Sequence, residues 1–319
     1  MTTLALKERL VDQEEVQEIE LVVRMRMKEH AAGGHSSVFH GDGFNFVGLR
    51  DWQPGDRPSA IDWAQSTITN FSPLVTRDFE KDSTASMMLL ADASRSTQCG
   101  TGRHVIAKVI ARAVATLGLA AAFFQDQMGL ITFDGRQTQT SVRSQVGRAH
   151  AMHCLDTYQT AVTSNSRAPA SHPNHVDTHH ARDPRAASAT RLGLFSMLRR
   201  TSFVPVISDF LFEDAPAFLD ELGELGALHD VVLVMVDGGF AFDLPPVSAG
   251  WVEVRDAETG RTQLLSTREL GLLGEQAREF QRSTVHAAER RGLEVVTLQV
   301  GQEHQALADF LTARRVRKR

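Results

Sequence analysis

The chain has 319 residues, a formal net charge of −5 and a hydrophobic fraction of 42%, which is room for one large domain or for one domain with a smaller appendage. The acidic balance argues against nucleic acid or an anionic membrane as a partner, because no overall basic field would attract either. Two cysteines, Cys99 and Cys154, are too few for a disulfide framework and suit a reducing compartment, so we expect a cytoplasmic protein.

The first 85 residues are predicted to form a helix followed by an irregular extension. Apolar residues recur with helical spacing among many charges over residues 5–31, and this charged N-terminus does not resemble a signal peptide. Residues 32–48 are rich in Gly, His and Ser, which is typical of an irregular loop. A tight turn at Pro54-Gly55-Asp56 and a strand over residues 73–80 are predicted next.

The remaining residues, 86–319, are predicted to form an α/β domain. Short apolar runs predict strands at residues 87–94, 128–133, 203–210, 230–238 and 293–300. Residues 104–124 are the most apolar long stretch; because Lys108 and Arg112 interrupt it, we expect a buried core helix and no membrane insertion. Continuous apolar strands separated by helices predict a doubly wound, mainly parallel sheet, whose sites lie beyond the carboxyl ends of the strands.

Two segments interrupt this alternation. Residues 251–267 predict an inserted hairpin that turns at Glu258-Thr259-Gly260. Residues 160–190 are polar and poor in large apolar side chains, which predicts a long mobile loop. Its histidines could give adventitious affinity for Zn²⁺ or Ni²⁺; they are His172, His175, His179 and His180. The basic run 314–319 is interpreted either as a solvated end or as a docking tail for anions.

The residues with the clearest chemistry follow the first predicted strand of the sheet. Asp92, Ser94 and Ser96 share one side of an extended chain there, and Asp209 ends a second strand. Carboxylate and hydroxyl oxygens are hard donors that suit Mg²⁺ or Mn²⁺ better than zinc. The alternative is that these residues only cap the helices that follow. Asp237 is a weaker candidate, because its strand is expected to lie farther away.

The Asp-x-Ser-x-Ser motif at the end of an apolar strand resembles the metal-ion-dependent adhesion site of von Willebrand factor A domains. The preceding segment resembles the bacterial domain of unknown function 58 family, in which an arginine, an aromatic residue and three short motifs come before that strand. Here these are Arg50, Trp52, Pro54-Gly55-Asp56, Ile61-Asp62-Trp63 and Arg77-Asp78-Phe79-Glu80. The later strand ending in Asp209 and the hairpin turn with Asp256 also resemble the family, so the likeness covers most of the chain.

This resemblance implies a sheet of von Willebrand factor A (Rossmann-like) type that carries the helical and irregular extension and the inserted hairpin. It implies an adaptor or co-chaperone for proteins, with a MoxR-type AAA+ ATPase or its client as partner. Such domains take one further metal ligand from a threonine in an intervening loop. Thr190 is the preferred residue, and Thr160 and Thr163 are alternatives. Arg95 departs from the usual pattern, because it places a cation inside the metal motif.

Other functions remain open. No GxxxxGK[ST], GxSxG or HExxH motif occurs, which favours a non-enzymatic role. A metal-dependent hydrolase could use Asp92 and Asp209, although no general base is evident. Arg95 favours a third possibility, a metal-free scaffold. The upstream motif is interpreted either as a turn with core residues at Ile61 and Trp63, or as a docking surface whose ion pairs would join Arg50, Asp56 and Asp62.

Overall fold

The computed structural model describes residues 9–30, 45–53, 61–68, 70–80, 86–101, 104–134, 137–167, 198, 201–212, 214–242, 250–255 and 262–317. Several sequence predictions concern residues outside these ranges: the turn at Pro54-Gly55-Asp56, most of the irregular loop (32–44), the later part of the mobile loop (168–190) with its four histidines and Thr190, and the turn of the hairpin at residues 258–260.

A six-stranded sheet forms the centre of the protein. Its strands are β3 (Ser86–Asp92), β6 (Gln127–Asp134), β7 (Gln137–Val146), β8 (Phe203–Ser208), β9 (Asp230–Val236) and β12 (Glu294–Leu298). They lie in the order β12-β9-β8-β3-β6-β7. All pairs are parallel except β6 with β7, which are antiparallel. The predicted α/β fold with a mainly parallel sheet is confirmed, and all five predicted strands are present.

Helices cover both faces of the sheet, which explains the uninterrupted apolar character of its central strands. On one face lie α1 (Gln13–His30), α3 (Ile106–Phe124), α4 (Arg148–Arg167) and α7 (Glu303–Arg317). On the other face lie α5 (Ala215–Gly226) and α6 (Thr267–Arg290). Successive residues of β3 pack against opposite helix layers. Leu89 packs on the face covered by α3, and Leu90 packs on the face covered by α5.

Helix α3 is the central helix of the first layer. Among the described residues it alone is long and apolar enough to cross a membrane by length and composition, so its two charges do not make it too polar for that. In the fold, 78% of its apolar stretch is buried, as expected of a core helix. Glu15 of α1 pairs with Lys108 and Arg112 of α3 at 2.8 Å each, and these ion pairs fasten the N-terminal helix to the core.

A small antiparallel ribbon follows α1 along the chain and precedes the first strand of the central sheet. It joins β1 (Asn45–Asp51) to β2 (Val75–Glu80), and the short helix α2 (Trp63–Ile68) precedes β2. Residues 45–48 are therefore a strand, although an irregular loop was predicted there. Asp62 caps α2 by accepting a hydrogen bond from the Gln65 amide at 3.1 Å. The prediction that Trp63 is a core residue is wrong, because its exposed fraction is 59%.

Three further features differ from prediction. Neither β7 nor α4 was predicted. β7 is a polar edge strand, and its sequence has little apolar periodicity from which to predict it. Helix α4 continues to Arg167, so the first part of the predicted mobile loop is helical. Arg314, the first residue of the tail predicted to be solvated, is 9% exposed and forms ion pairs with Asp230 and Glu294.

The predicted hairpin is confirmed. It consists of β10 (Trp251–Arg255) and β11 (Thr262–Ser266). A separate minor ribbon joins β4 (Gly100–Thr101) to β5 (His104–Val105).

Candidate functional site

Two aspartates meet at the carboxyl edge of the central sheet. Asp92 ends β3 and Asp209 directly follows the neighbouring strand β8; their exposed fractions are 1% and 2%. The register pairs Ala91 with Ile207, so the next residue of β8, Ser208, lies beside Asp92. Adjacent parallel strands thus bring together the two carboxylates that the sequence singled out.

The Asp92 carboxylate accepts hydrogen bonds from Ser94 and Ser208. Its Oδ1 accepts from the Ser94 amide at 2.9 Å, and its Oδ2 accepts from the Ser208 hydroxyl at 2.6 Å. Ser208 Oγ in turn accepts from the Phe210 amide at 2.9 Å. The sequence analysis did not predict a role for Ser208. Its hydroxyl in the otherwise apolar strand VPVIS could have indicated one. These bonds fix the orientation of Asp92 before any ligand arrives.

The two motif serines lie in the turn after β3. Ser94 Oγ and Ser96 Oγ are 2.9 Å apart, and both residues are half-buried. The short 3-10 helix Arg95–Gln98 follows, but the Ser94 side chain makes no capping hydrogen bond to it. Asp209 likewise does not cap α5, which begins only at Ala215; its Oδ1 accepts from the Leu211 amide at 3.0 Å. The capping alternative therefore fails for Ser94 and Asp209.

Burial disfavours the ionised form of both carboxyl groups, and a nearby negative charge adds to this effect on each pKa: that of Asp92 on Asp209, and that of Asp134 on Asp92. Burial, followed by the negative charge of Asp92, raises the pKa of Asp209 to about 7. Burial also raises the pKa of Asp92, against the opposing effect of the hydrogen bonds from Ser208 and Ser94. Among the described residues, no lysine or arginine forms an ion pair with either carboxylate. The pair therefore concentrates negative charge that no described side chain balances.

Arg95 does not supply the balancing cation. Its Nε donates to the Asn165 carbonyl at 3.1 Å, near the end of α4. Asn165 Nδ2 donates back to the Ala93 carbonyl at 2.7 Å, and Gln98 Nε2 donates to the Val162 carbonyl at 3.3 Å. Arg95 thus belongs to the contact between α4 and the motif turn. The presence of a cation in the motif is no objection to a metal beside Asp92.

Two buried side chains, one from α4 and one from α6, donate hydrogen bonds to backbone carbonyls of the site. The Tyr158 hydroxyl of α4 donates to the Asp92 carbonyl at 2.9 Å. From α6, Gln281 Nε2 donates to the Asp209 and Val236 carbonyls at 2.8 Å each, and its Oε1 accepts from the Gly238 amide at 3.3 Å. Sequence reasoning missed both residues. Gln281 carries the one amide side chain among the buried residues of α6, and this is the signal that could have indicated it; the other buried residues are Leu270, Gly274, Thr284 and Ala288.

The remaining candidates within the described ranges make their hydrogen bonds outside the site. The hydroxyls of Thr160 and Thr163 donate to the carbonyls one turn earlier in α4, at 2.8 Å each. Asp237 follows β9, which β8 separates from β3 as expected, and its Oδ1 accepts from the Gly239 amide at 2.9 Å. Burial raises the pKa of the Cys154 thiol to about 12, so this thiol is not a nucleophile at neutral pH.

The donor set fits a hard divalent cation. In the described parts of the chain, no group of three or more His, Cys, Asp or Glu side chains could hold a metal, so a zinc-type site has no support there. Neighbouring oxygens in an octahedral Mg²⁺ shell lie about 3 Å apart, given Mg–O distances of about 2.1 Å. Ser94 Oγ and Ser96 Oγ are joined by a 2.9 Å hydrogen bond, so the two hydroxyls already lie at a separation that a metal ion could bridge.

Comparison with known proteins identifies relatives without assigning them a role. The sequence model of the family described as "Protein of unknown function DUF58" matches residues 48–290. Uncharacterized proteins of Mycobacterium tuberculosis and Mycobacterium bovis are 26% identical to this chain over 246 residues, covering 76% of this chain and 69% of theirs.

Two solved structures from Bacteroides are similar in part. One is an aerotolerance-related membrane protein of Bacteroides fragilis, crystallised with multiple mutations to serines; it is 12% identical with a TM-score of 0.42. The other is the conserved hypothetical protein BatB of Bacteroides thetaiotaomicron, 13% identical with a TM-score of 0.40. Each match covers 73% of this chain and 99% of the other chain. At these TM-scores neither likeness supports an inference about this protein.

Proposed function

Since this chain belongs to the DUF58 family of proteins of unknown function, we propose its role from its own geometry: a non-enzymatic adaptor that binds a partner protein's carboxylate through Mg²⁺ or Mn²⁺. We assign its α/β domain to the von Willebrand factor A type. The side-chain oxygens of Asp92, Ser94, Ser96 and Asp209 form its metal-ion-dependent adhesion site. The first metal ligands are Ser94 and Ser96, with Asp92 and Asp209 bound directly or through water.

One observation carries this proposal: Asp92 and Asp209 are almost fully buried side by side, and no described cation pairs with them. Burying an ionised carboxylate without a partner is costly, so such a pair either takes up protons or takes up a cation. The pair lies beside two half-buried hydroxyls that make no cap. A divalent ion would balance the charge and offer an open coordination position to a carboxylate from outside.

The wider role rests on the resemblance of the sequence motifs to the family. A loop threonine would complete the metal site, and Thr190 is the preferred candidate. The resemblance to the family supports a MoxR-type AAA+ ATPase, or its client, as the partner. We also propose a cytoplasmic location, because two free cysteines suit a reducing compartment.

Calorimetric titration of the full chain, after EDTA treatment, tests the metal site. Mg²⁺ and Mn²⁺ should bind the wild type with a stoichiometry near one. The Ser94→Ala/Ser96→Ala double variant and Asp209→Asn should lose this binding. Asp237→Asn is the matched control, since it removes a carboxylate from the next strand end and should bind like the wild type. Absence of binding by the wild type would leave a metal-free scaffold as the better description.

Capture experiments test the adaptor role. A purified MoxR-type ATPase should be retained by the wild type in Mg²⁺ and released by EDTA, while Asp209→Asn retains none in either condition. Retention that ignores both EDTA and the substitution would contradict a metal-mediated contact. Mg²⁺-dependent turnover in a phosphoester or peptide panel, lost in Asp209→Asn, would instead favour the hydrolase.

A further inference from the structure

The end of helix α4 is bonded to the turn that carries the two motif serines. This motif turn, residues 93–98, follows β3 and includes the short 3-10 helix. The Asn165 side chain donates to the Ala93 carbonyl at 2.7 Å, and Arg95 Nε donates to the Asn165 carbonyl at 3.1 Å. Gln98 Nε2 donates to a second carbonyl of the helix at 3.3 Å. Hydrogen bonds therefore run in both directions between the helix and the motif turn.

Arg95 acts as a capping cation for α4. The helix ends at Arg167, so the carbonyl of Asn165 is one of the last four, which lack the intrahelical donor that earlier carbonyls have. A positive side chain bonded to such a carbonyl also interacts favourably with the negative end of the helix dipole. Arg95 therefore stabilises the end of the helix, and the end of the helix in turn fixes the position of Arg95.

The positions of the motif serines depend on this contact. Ser94 lies between Ala93 and Arg95, which are both bonded to α4, and Ser96 follows directly. The backbone conformation that sets the direction of the two hydroxyls is thus fixed on either side of Ser94. The Tyr158 hydroxyl, also from α4, holds the Asp92 carbonyl before the turn at 2.9 Å. Loss of a group that orients metal ligands commonly weakens metal binding by roughly 10-fold to 100-fold.

Given the metal site of the proposed function, on which this inference rests, we propose that Arg95 and Asn165 are its positioning residues and that the bound cation and the end of α4 stabilise each other. A cation held by Ser94 and Ser96 restrains the motif turn, and the restrained turn holds the end of the helix. The effect is reciprocal, because coupling between two sites acts equally in both directions. Arg95 therefore promotes cation binding although its own charge opposes it.

Two substitutions separate positioning from charge, because the two effects have opposite signs. Arg95→Met keeps the aliphatic stem and removes a positive charge, which by electrostatics alone should strengthen cation binding. Asn165→Asp keeps the shape, removes the amide donor and adds a negative charge, which by electrostatics alone should also strengthen it. Both variants should instead weaken Mn²⁺ binding in calorimetry by roughly 10-fold to 100-fold. Arg148→Met is the matched control: it removes an arginine at the start of the same helix, paired there with Glu20 at 2.9 Å, and should bind Mn²⁺ like the wild type.

Hydrogen exchange followed by mass spectrometry tests the reciprocal effect. In the wild type, saturating Mg²⁺ should slow the exchange of amides in residues 160–167, at the end of α4, relative to EDTA. Arg95→Met should lose this protection. Residues 148–155, at the start of the helix, should exchange equally in both conditions and serve as the internal control. Circular dichroism should show that all three variants are folded.

Each negative result has a distinct meaning. Wild-type or tighter Mn²⁺ binding by Arg95→Met and Asn165→Asp would overturn the positioning role while leaving the metal site intact. Exchange at the end of α4 that ignores Mg²⁺ in a wild type that binds the ion would overturn the coupling. Absence of Mn²⁺ binding by the wild type would contradict the proposed metal site itself, and the positioning role with it.

Discussion

In the absence of metal, replacing Asp209 with asparagine should stabilise this protein at neutral and alkaline pH. The pKa of the Asp209 carboxyl is raised from 3.8 to about 7 by burial and by the nearby charge of Asp92. Between these two values the folded protein holds a proton that the unfolded chain has lost. The free energy of unfolding therefore falls as the pH rises through this window, and the full cost is present above about pH 7.

The size of this effect follows from the two pKa values. Each pH unit of the window costs about 1.4 kcal/mol, so ionising Asp209 costs the fold about 4 kcal/mol at pH 8. Asparagine has nearly the same shape and no charge, so Asp209→Asn avoids that cost. Its advantage over the wild type should be greatest at pH 8 and almost absent at pH 4. Saturating Mg²⁺ should stabilise only the wild type, by about 3 kcal/mol at one hundred times the dissociation constant.

Urea unfolding in EDTA at several pH values between 4 and 8, followed by circular dichroism, measures this difference. The wild-type free energy of unfolding should decline across the range, and the Asp209→Asn curve should be flatter. Asp237→Asn serves as control and should decline as the wild type does, because it leaves the buried pair intact. Parallel wild-type and Asp209→Asn curves, or a variant less stable than the wild type at pH 8, would refute the reasoning.

Three further substitutions test individual contacts. Ser208→Ala should cost about 1–3 kcal/mol in urea unfolding, because the buried Asp92 carboxylate loses its hydroxyl donor, whereas Ser208→Thr should preserve most of the stability. Gln281→Leu should weaken Mn²⁺ binding in calorimetry, because the Asp209 carbonyl loses the hydrogen bond that helps to position this residue. Gln159→Leu is the control. It removes a buried hydrogen bond to the Val11 amide and should leave the Mn²⁺ affinity unchanged. Thr132→Val should raise the unfolding free energy by about 1 kcal/mol, because the Thr132 hydroxyl is buried without a hydrogen-bond partner in the described structure. Destabilisation by this last change would show that the hydroxyl is satisfied in solution.

The central strands of the sheet were predictable because they are buried on both faces. A strand in that position needs an unbroken apolar run, and such runs mark β3, β6, β8 and β9 in the sequence. The edge strand β12 is only partly buried, but its own apolar run was visible too. The position of Asp92 and Asp209 just beyond two of these runs was equally visible. β7 escaped prediction because an exposed edge strand is free of that constraint, and its sequence QTQTSVRSQV is almost entirely polar.

The supporting residues of the candidate site could not be predicted from local patterns. Tyr158 and Gln281 reach Asp92 and Asp209 across 66 and 72 residues of chain, and no local spacing encodes contacts of that range. The same is true of Arg95, whose charge argued against a metal until its contact with the end of α4 was known.

The sequence alone determined the fold class, the order of the main elements and the two strand ends that carry carboxylates, because these depend on local apolar periodicity and on which residues follow each strand. The sequence also placed the Asp209 strand nearer to the Asp92 strand than the Asp237 strand, and the pairing of β3 with β8 confirms this. Only the tertiary structure decided how deeply Asp92 and Asp209 are buried together. Strand order depends on how the helices pack against the two faces of the sheet, which no single segment specifies. The repulsion between the two carboxylates, and hence the expected demand for a cation, arises from that adjacency.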